Sequence, residues 1–211
     1  LSGELGKATA RDDRRHAPAT ARNRAPIAAV LAEWLPPRGR VLELASGTGE
    51  HAVYLAARFR DLTWQPSDPD PDLRRSIASH RRLEGGENLL APLDLDVTAP
   101  DWPVSGLFEA MICCNMIHIA PWAAAEGLFA GAGRHLAPGG GLYLYGPFRR
   151  GGAHTAPSNA TFDANLRAQD PAWGVRDLEA VAALADANGL APPVLREMPA
   201  NNLSLWFAKP A

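Results

Sequence analysis

Apolar positions along the chain change their period repeatedly, and each change marks an element. Ile27, Val30, Leu31 and Trp34 recur at helical spacing behind Asn23, a candidate cap, with Pro26 tolerated in the first turn, so a leading helix is expected. Pro36-Pro37 stops it, and Val41 to Leu44 follows as a strand too short and too apolar for an exposed edge. A helix over His51 to Phe59 places Ala52, Leu55, Ala56 and Phe59 on one face. Leu62 to Pro66 is the second strand, and Asp70-Pro71 then has the form of a helix start, with Leu73, Ile77 and His80 on the buried side. Leu89 to Leu95 is the expected third strand, with Pro92 arguing for an edge position. Ala110 to Cys114 is the fourth, Trp122 to Leu136 a helix, Pro138-Gly139-Gly140-Gly141 a turn, and Leu142 to Tyr145 the fifth strand.

From Phe148 to Gly174 the periodicity breaks into a polar stretch rich in Gly, Pro, Asn and Asp, too long for a simple connector and placed as a lid or substrate wall. Leu178 to Asn188 returns to helical spacing, Gly189 stops it, and Val194 to Met198 with Leu203 to Lys209 form a closing antiparallel pair. Strands and helices alternating in this rhythm describe an α/β domain over residues 12–211, behind a tail at 1–11, with a mostly parallel sheet covered on both faces.

Composition narrows the field. With 46% hydrophobic and 21% charged residues the chain suits a soluble globular domain. A formal net charge of −2 without a dense Lys/Arg stripe leaves no footprint for nucleic acid, and no apolar run is long enough for a membrane span. Cys113 and Cys114 are neighbours within an apolar run, which excludes a disulfide framework and suggests a cytoplasmic protein. The six histidines show no metal-ligand spacing, so no metal is expected.

In an open parallel sheet, ligands bind beyond the carboxyl ends of the strands. The polar clusters fall there: Glu43 and Gly47-Thr48-Gly49 after the first strand, Asp68 after the second, Asp94 and Asp96 after the third, Asn115 to His118 after the fourth, Tyr145 at the fifth. An apolar strand ending in an acid and running into Gly-x-Gly builds an adenosyl-cofactor cradle, and Asp68, 21 residues beyond Gly47, stands where an acid holds ribose hydroxyls. Asp70 is the helix cap. Gly47-x-Gly49-x-x-Ala52 also satisfies a nicotinamide fingerprint, although Glu43 at the mouth would repel a pyrophosphate and attract a sulfonium.

These residues resemble the class I S-adenosylmethionine-dependent methyltransferases from about Asn23 to the C-terminus. The resemblance implies a Rossmann-like, seven-stranded sheet in the order 3-2-1-4-5-7-6 with strand seven antiparallel, S-adenosyl-L-methionine as cofactor and S-adenosyl-L-homocysteine as product. Matched by motif, the glycine-rich segment is Glu43 to Gly49, which includes Ala45, Ser46 and Thr48. Asp68 matches the ribose acid, Asp96-Val97 the adenine side, and Asn115 the position after strand four. Ala45 departs from the pattern, standing where many members place their first glycine. A narrower resemblance, to a small methyltransferase-like family of a domain of unknown function, rests on several motifs. They are Arg22-Asn23-x-x-Pro26-Ile27, Ser46-Gly47-Thr48-Gly49-x-His51, Pro66-Ser67-Asp68, Asn115-Met116-Ile117-His118, Tyr145-Gly146-Pro147-Phe148, Ser158-Asn159-Ala160-x-Phe162-Asp163 and Pro199-x-Asn201-Asn202.

The implied reaction is in-line methyl transfer to a small-molecule acceptor, which requires alignment and exclusion of water. His118 is the candidate base, with a loop-bonding role as its alternative. Trp122, Tyr145, Asn159, Asp163, Trp173, Arg176 and Asn202 are the candidate acceptor-pocket residues, while Asp163 with Arg176 is also a candidate lid ion pair. Arg22 and Asn23 are placed to reach the methionine carboxylate of the cofactor. An NAD(P)-dependent oxidoreductase and a catalytically silent adenosyl-binding protein remain the alternatives.

Overall fold

The computed structural model describes residues 12–211, so the tail expected at 1–11 lies outside the described residues. The leading helix α1 spans Pro18–Trp34 and is followed by β1 (Gly39–Leu44), α2 (Glu50–Arg58), β2 (Leu62–Pro66) and α3 (Pro71–Glu84). Then come β3 (Phe108–Cys114), α4 (Trp122–His135) and β4 (Leu136–Gly146). The central sheet runs β2-β1-β3-β4-β9-β8, with β8 (Val194–Met198) and β9 (Asn202–Ala208) closing it. The β1, β2, β3 and β4 pairings are parallel, whereas β9 is antiparallel to both neighbours.

Alternation along β1 assigns the two faces. Leu42 and Leu44 join Met111, Leu142, Leu144 and Phe129 in one cluster, beside α4 and α6 (Leu178–Ala187). Val41 joins Trp64, Ala110, Ile112 and Tyr143 in the other, which is sealed by Ile27 and Leu31 of α1 and Leu55 of α2. A sheet covered on both faces needs apolar side chains on both, which is why β1 and β3 read as continuous apolar runs. Cys113 and Cys114 accordingly pack on opposite faces.

Three expectations are corrected. Among the described residues the central sheet has six strands, because the segment expected as the third strand pairs with β2 only through isolated parallel bridges, Trp64 to Leu89 and Ser67 to Leu93. Two prolines explain the gap: Pro66 has no N–H to give the outer segment, and Pro92 has none to give β2. Leu93 takes over as donor to the Pro66 carbonyl at 3.0 Å. The helix α1 starts at Pro18, so Asn23 and Pro26 are interior to it rather than at its cap and first turn. Finally, the polar stretch after Phe148 is built rather than irregular. It holds α5 (Pro157–Gln169) and a small sheet of β5 (Phe148–Arg150), β6 (Ala153–His154) and β7 (Arg176–Asp177) in the order β6-β5-β7. Among the described residues no helix is long and apolar enough to cross a membrane.

Candidate functional site

The loop after β1 turns through three left-handed residues, Ala45 (φ 51°), Gly47 (φ 58°) and Gly49 (φ 92°). The two glycines are needed for different reasons. A Cβ on Gly49 would lie 2.8 Å from the Ile77 Cα, so this glycine lets α3 pass close to the start of α2. A Cβ on Gly47 would meet nothing within 4 Å, so the backbone there borders open space that a ligand can enter. Ala45 takes the same left-handed conformation with a side chain, a strained choice that its neighbours must hold in place. Ser46 and Ser67 do so by lacing the ends of β1 and β2: both hydroxyls donate to the Glu43 carbonyl, at 3.3 and 2.8 Å.

The acids of the cradle are more enclosed than their motif suggests. Glu43 is only 4% exposed and faces inward, where the Trp64 indole N–H donates to it at 2.5 Å. Burial pushes its pKa up to about 7, against the opposing hydrogen bonds from Trp64 and Ser46. The expected free carboxylate at the mouth is thus a buried group behind the loop, because alternation turns it onto the Val41 face. Asp68 is also buried, and each of its oxygens accepts a backbone N–H, from Gly47 at 2.9 Å and Asp70 at 3.0 Å. Its burial raises its pKa despite those two bonds. Asp70 caps α3 by accepting from the Asp72 N–H at 2.7 Å. Asp96 is exposed and holds the turn at Thr98, while Val97 is buried beside α4. Glu50, in the first turn of α2, gathers the Thr48 hydroxyl, the Ala17 N–H and His16. Burial works upward on Glu50, yet these bonds hold its pKa below the usual value.

On the same strand-end side of the sheet lies a cavity of about 780 Å³, whose lining among the described residues includes none of Ala45 to Gly49 and neither His51 nor Asp68. It is bounded by α1 (Arg22, Asn23, Pro26), the ends of β3 and β4 (Asn115, Ile119, Tyr145, Pro147), α5 (Ser158, Asn159, Phe162) and the β8–β9 turn (Pro199 to Asn202). Among the described residues Arg22 is the one charged side chain in this lining, and no carboxylate shares it. Asn23 links the cavity to α2, because its Oδ1 lies 2.8 Å from His51 Nε2. Burial lowers the His51 pKa to about 4, which keeps the imidazole neutral. Burial raises that of Tyr145, with the neighbouring Asn23 amide opposing it.

Of the residues expected to line an acceptor pocket, Tyr145, Asn159 and Asn202 do so, joined by Arg22, Asn23 and Asn115 from the cofactor set. Trp122, Asp163, Trp173 and Arg176 do not. Arg176 instead clamps the turn after β3, donating to the carbonyls of Ile117 (2.8 Å), Ala120 (2.7 Å) and Ala172 (2.8 Å), with its guanidinium 5.6 Å from the Trp122 ring. Asp163 pairs with Arg167 rather than Arg176 and accepts from the Val175 N–H at 2.6 Å. Trp173 is half-buried and its N–H closes a turn onto the Asp170 carbonyl.

His118 is fully buried on a short 3-10 turn, Met116–His118. Its Nδ1 accepts from the Arg176 N–H at 3.4 Å, so the proton of the neutral ring sits on Nε2, which has no partner among the described residues. Burial drives its pKa to about 3. A ring so placed has its Nδ1 lone pair engaged and lies outside the cavity lining, in the position of its alternative role of bonding the loop. Phe162 and Ile119 were missing from the sequence-derived set. Both are exposed apolar side chains on the cavity wall, and exposed apolar residues cannot be told from core ones by periodicity.

Known structures share this architecture. An O-methyltransferase family protein from Burkholderia thailandensis matches with a TM-score of 0.78 at 18% identity, over 92% of this chain and 58% of that one. Human N-acetylserotonin methyltransferase, solved in complex with SAM, matches at 0.75 and 13% identity, over 92% and 53%. An O-methyltransferase family 2 protein from Planctomyces limnophilus DSM 3776, solved in complex with apigenin, matches at 0.74 and 17% identity, over 90% and 60%. This chain therefore spans between half and three fifths of their length, and at such identities the likeness is one of fold. Identity comes from a family model that matches residues 14–209, nearly the whole described chain: the protein belongs to the family described as protein of unknown function (DUF938).

Proposed function

We propose that the protein is an S-adenosylmethionine-dependent methyltransferase that modifies a small molecule. The observation that carries this reading is the left-handed loop at the carboxyl end of β1, where Gly47 borders open space, on the same strand-end side of the sheet as the cavity of about 780 Å³ at the ends of β3 and β4. A Cβ at Gly47 would stand in otherwise empty room, so a ligand can approach the backbone there. Gly47 to Gly49, Asp68 and Asn115 would hold the cofactor, with Arg22, the charged residue of the cavity lining, for its carboxylate. When bound, the sulfonium supplies an electrophilic methyl group. The chain supplies alignment: α1, α5 and the β8–β9 turn wall the cavity in which an acceptor would be held.

Proton handling is left to solvent, because His118 is fully buried and does not line the cavity. A ligand that binds only the folded state at one hundred times its dissociation constant stabilises by about 2.7 kcal/mol. For a chain of this size that raises Tm by about 5–10 °C. S-adenosylhomocysteine is expected to give a shift of this order in differential scanning fluorimetry, and NAD none. Stabilisation by NAD with indifference to S-adenosylhomocysteine would overturn the assignment in favour of an oxidoreductase.

A further inference from the structure

The first described residues, 12–17, lie along α3 and end at the loop after β1. The face of α3 that they cover is polar: Ser76, Ser79 and His80 fall at i, i+3 and i+4, and each is 2% exposed or less. Polar groups this deep need partners, and the segment supplies them. Ser79 Oγ accepts the Asp13 N–H at 3.2 Å, Ser76 Oγ accepts the Arg15 N–H at 2.8 Å, and His80 Nε2 donates to the Arg15 carbonyl at 3.1 Å. Ion pairs fasten the outer side, Arg14 with Glu84 at 2.5 Å and Arg15 with Asp72 at 3.0 Å.

Two side chains join this segment to the loop, and both hold Thr48. The Ser76 hydroxyl has one proton and gives it to the Thr48 carbonyl at 2.7 Å, so a lone pair is what receives Arg15. Glu50 works from the other side: its Oε2 accepts the Thr48 hydroxyl at 3.0 Å and the Ala17 N–H at 2.6 Å, while Oε1 faces His16 Nδ1 at 3.0 Å. Thr48 stands between Gly47 and Gly49, the residue type that loses most backbone freedom on being fixed. A loop already held in place binds a ligand without that ordering cost. The segment also sets α1, because Ala17 is its N-cap and the helix carries Arg22 and Asn23 to the cavity wall.

We propose that residues 12–17 are a strap that sets the cofactor loop, with Ser76 and Glu50 as its positioning residues, so that adenosyl-cofactor binding and docking of the strap strengthen each other. The proposal rests on the methyl-transfer reading above, which puts the cofactor on Gly47 to Gly49. Neither positioning side chain has to touch the cofactor, since each acts through Thr48. Coupling of this kind is reciprocal: whatever factor the docked strap adds to cofactor affinity, the cofactor adds to docking of the strap.

The test uses the full chain with S-adenosylhomocysteine as the probe. Amide exchange of Asp13, Arg15 and Ala17, the three strap donors, is followed by NMR in the wild type, and the probe should slow it about tenfold. Arg15→Pro removes the N–H that Ser76 accepts and keeps the carbonyl, so affinity measured by calorimetry should fall by a similar factor. Arg15→Ala keeps that N–H and loses only an exposed ion pair, so it should bind within about twofold of the wild type. Glu50→Ala should weaken binding about tenfold. Glu50→Gln should restore most of the loss, because an amide oxygen still accepts from Thr48 and Ala17, whereas a role through helix charge would leave it as weak as alanine. Unchanged exchange at all three amides, wild-type affinity in Arg15→Pro, equal losses in Arg15→Pro and Arg15→Ala, or no rescue by Glu50→Gln overturns the proposal, and binding of S-adenosylhomocysteine then leaves the cofactor reading standing. Failure of S-adenosylhomocysteine to bind the wild type overturns both.

Discussion

Glu43 shows how one residue can serve a motif and burden the fold together. Its free carboxyl would titrate near 4.5, whereas in the folded chain burial moves it to about 7. The folded state therefore keeps a proton that the unfolded chain releases. The associated stability is complete below about pH 4.5 and is lost as pH rises through about 7. Glu43→Gln preserves shape and can still accept from the Trp64 indole, but it cannot titrate. Urea unfolding of this variant should lose the decline over that window, which is worth about 1.4 kcal/mol for each tenfold difference in proton affinity between the folded and unfolded chain. A wild-type slope in the variant would assign the decline to another group. At this scale Gly47 and Gly49 were readable in advance, since a turn that demands positive φ advertises itself through glycine. His118 was not, because its burial depends on Arg176 and Gly174, far along the chain and in a segment without periodicity.

Elements were legible where their buried face is apolar and obscure where it is not. The helix α5 buries Asn159, Asp163 and Leu166, which share one face at helical spacing, yet two of the three are polar. A search for apolar periodicity passes over it, and the whole stretch looks like loop. The opposite error occurs at the expected third strand, whose apolar run is real but whose ladder is broken by Pro66 and Pro92. In α1 the interior Pro26 has no N–H, so the Arg22 carbonyl has lost its intrahelical partner on the cavity wall. Pro26→Ala restores that donor and is expected to stabilise the fold by about 1–3 kcal/mol in denaturant unfolding. No gain would mean that the helix has already adapted around the ring.

For the molecule as a whole, the buried titratable groups oppose one another. His51 and His118, whose ordinary value is 6.5, are held neutral at about 4 and about 3, so their contribution is complete above pH 6.5 and is lost as pH falls toward the folded values. Glu43 works the other way up to about 7. Between 4.5 and 6.5 two rising contributions outweigh one falling one, and above 6.5 only the falling one remains. Thermal stability should accordingly peak near pH 6.5, and a scan with its maximum below pH 5 would contradict these assignments. The layered plan itself was legible because residues such as Leu42, Leu44, Met111 and Ile112 are apolar on whichever face they point to.

The broken ladder at Pro66 and Pro92 also has a meaning for the outside of the sheet. An edge strand normally shows solvent a row of unpaired backbone groups, and that row is a template for another chain. Here the row is already occupied: the Leu89 N–H bonds the Gly86 carbonyl, Arg81 caps the Leu89 carbonyl at 2.7 Å, and Gln65 caps that of Ala91 at 2.7 Å. The prolines that cost the sheet its seventh strand thus leave a border to which a neighbour's strand has almost nothing to attach. Growth of the sheet by strand addition is left to the opposite border, at β8.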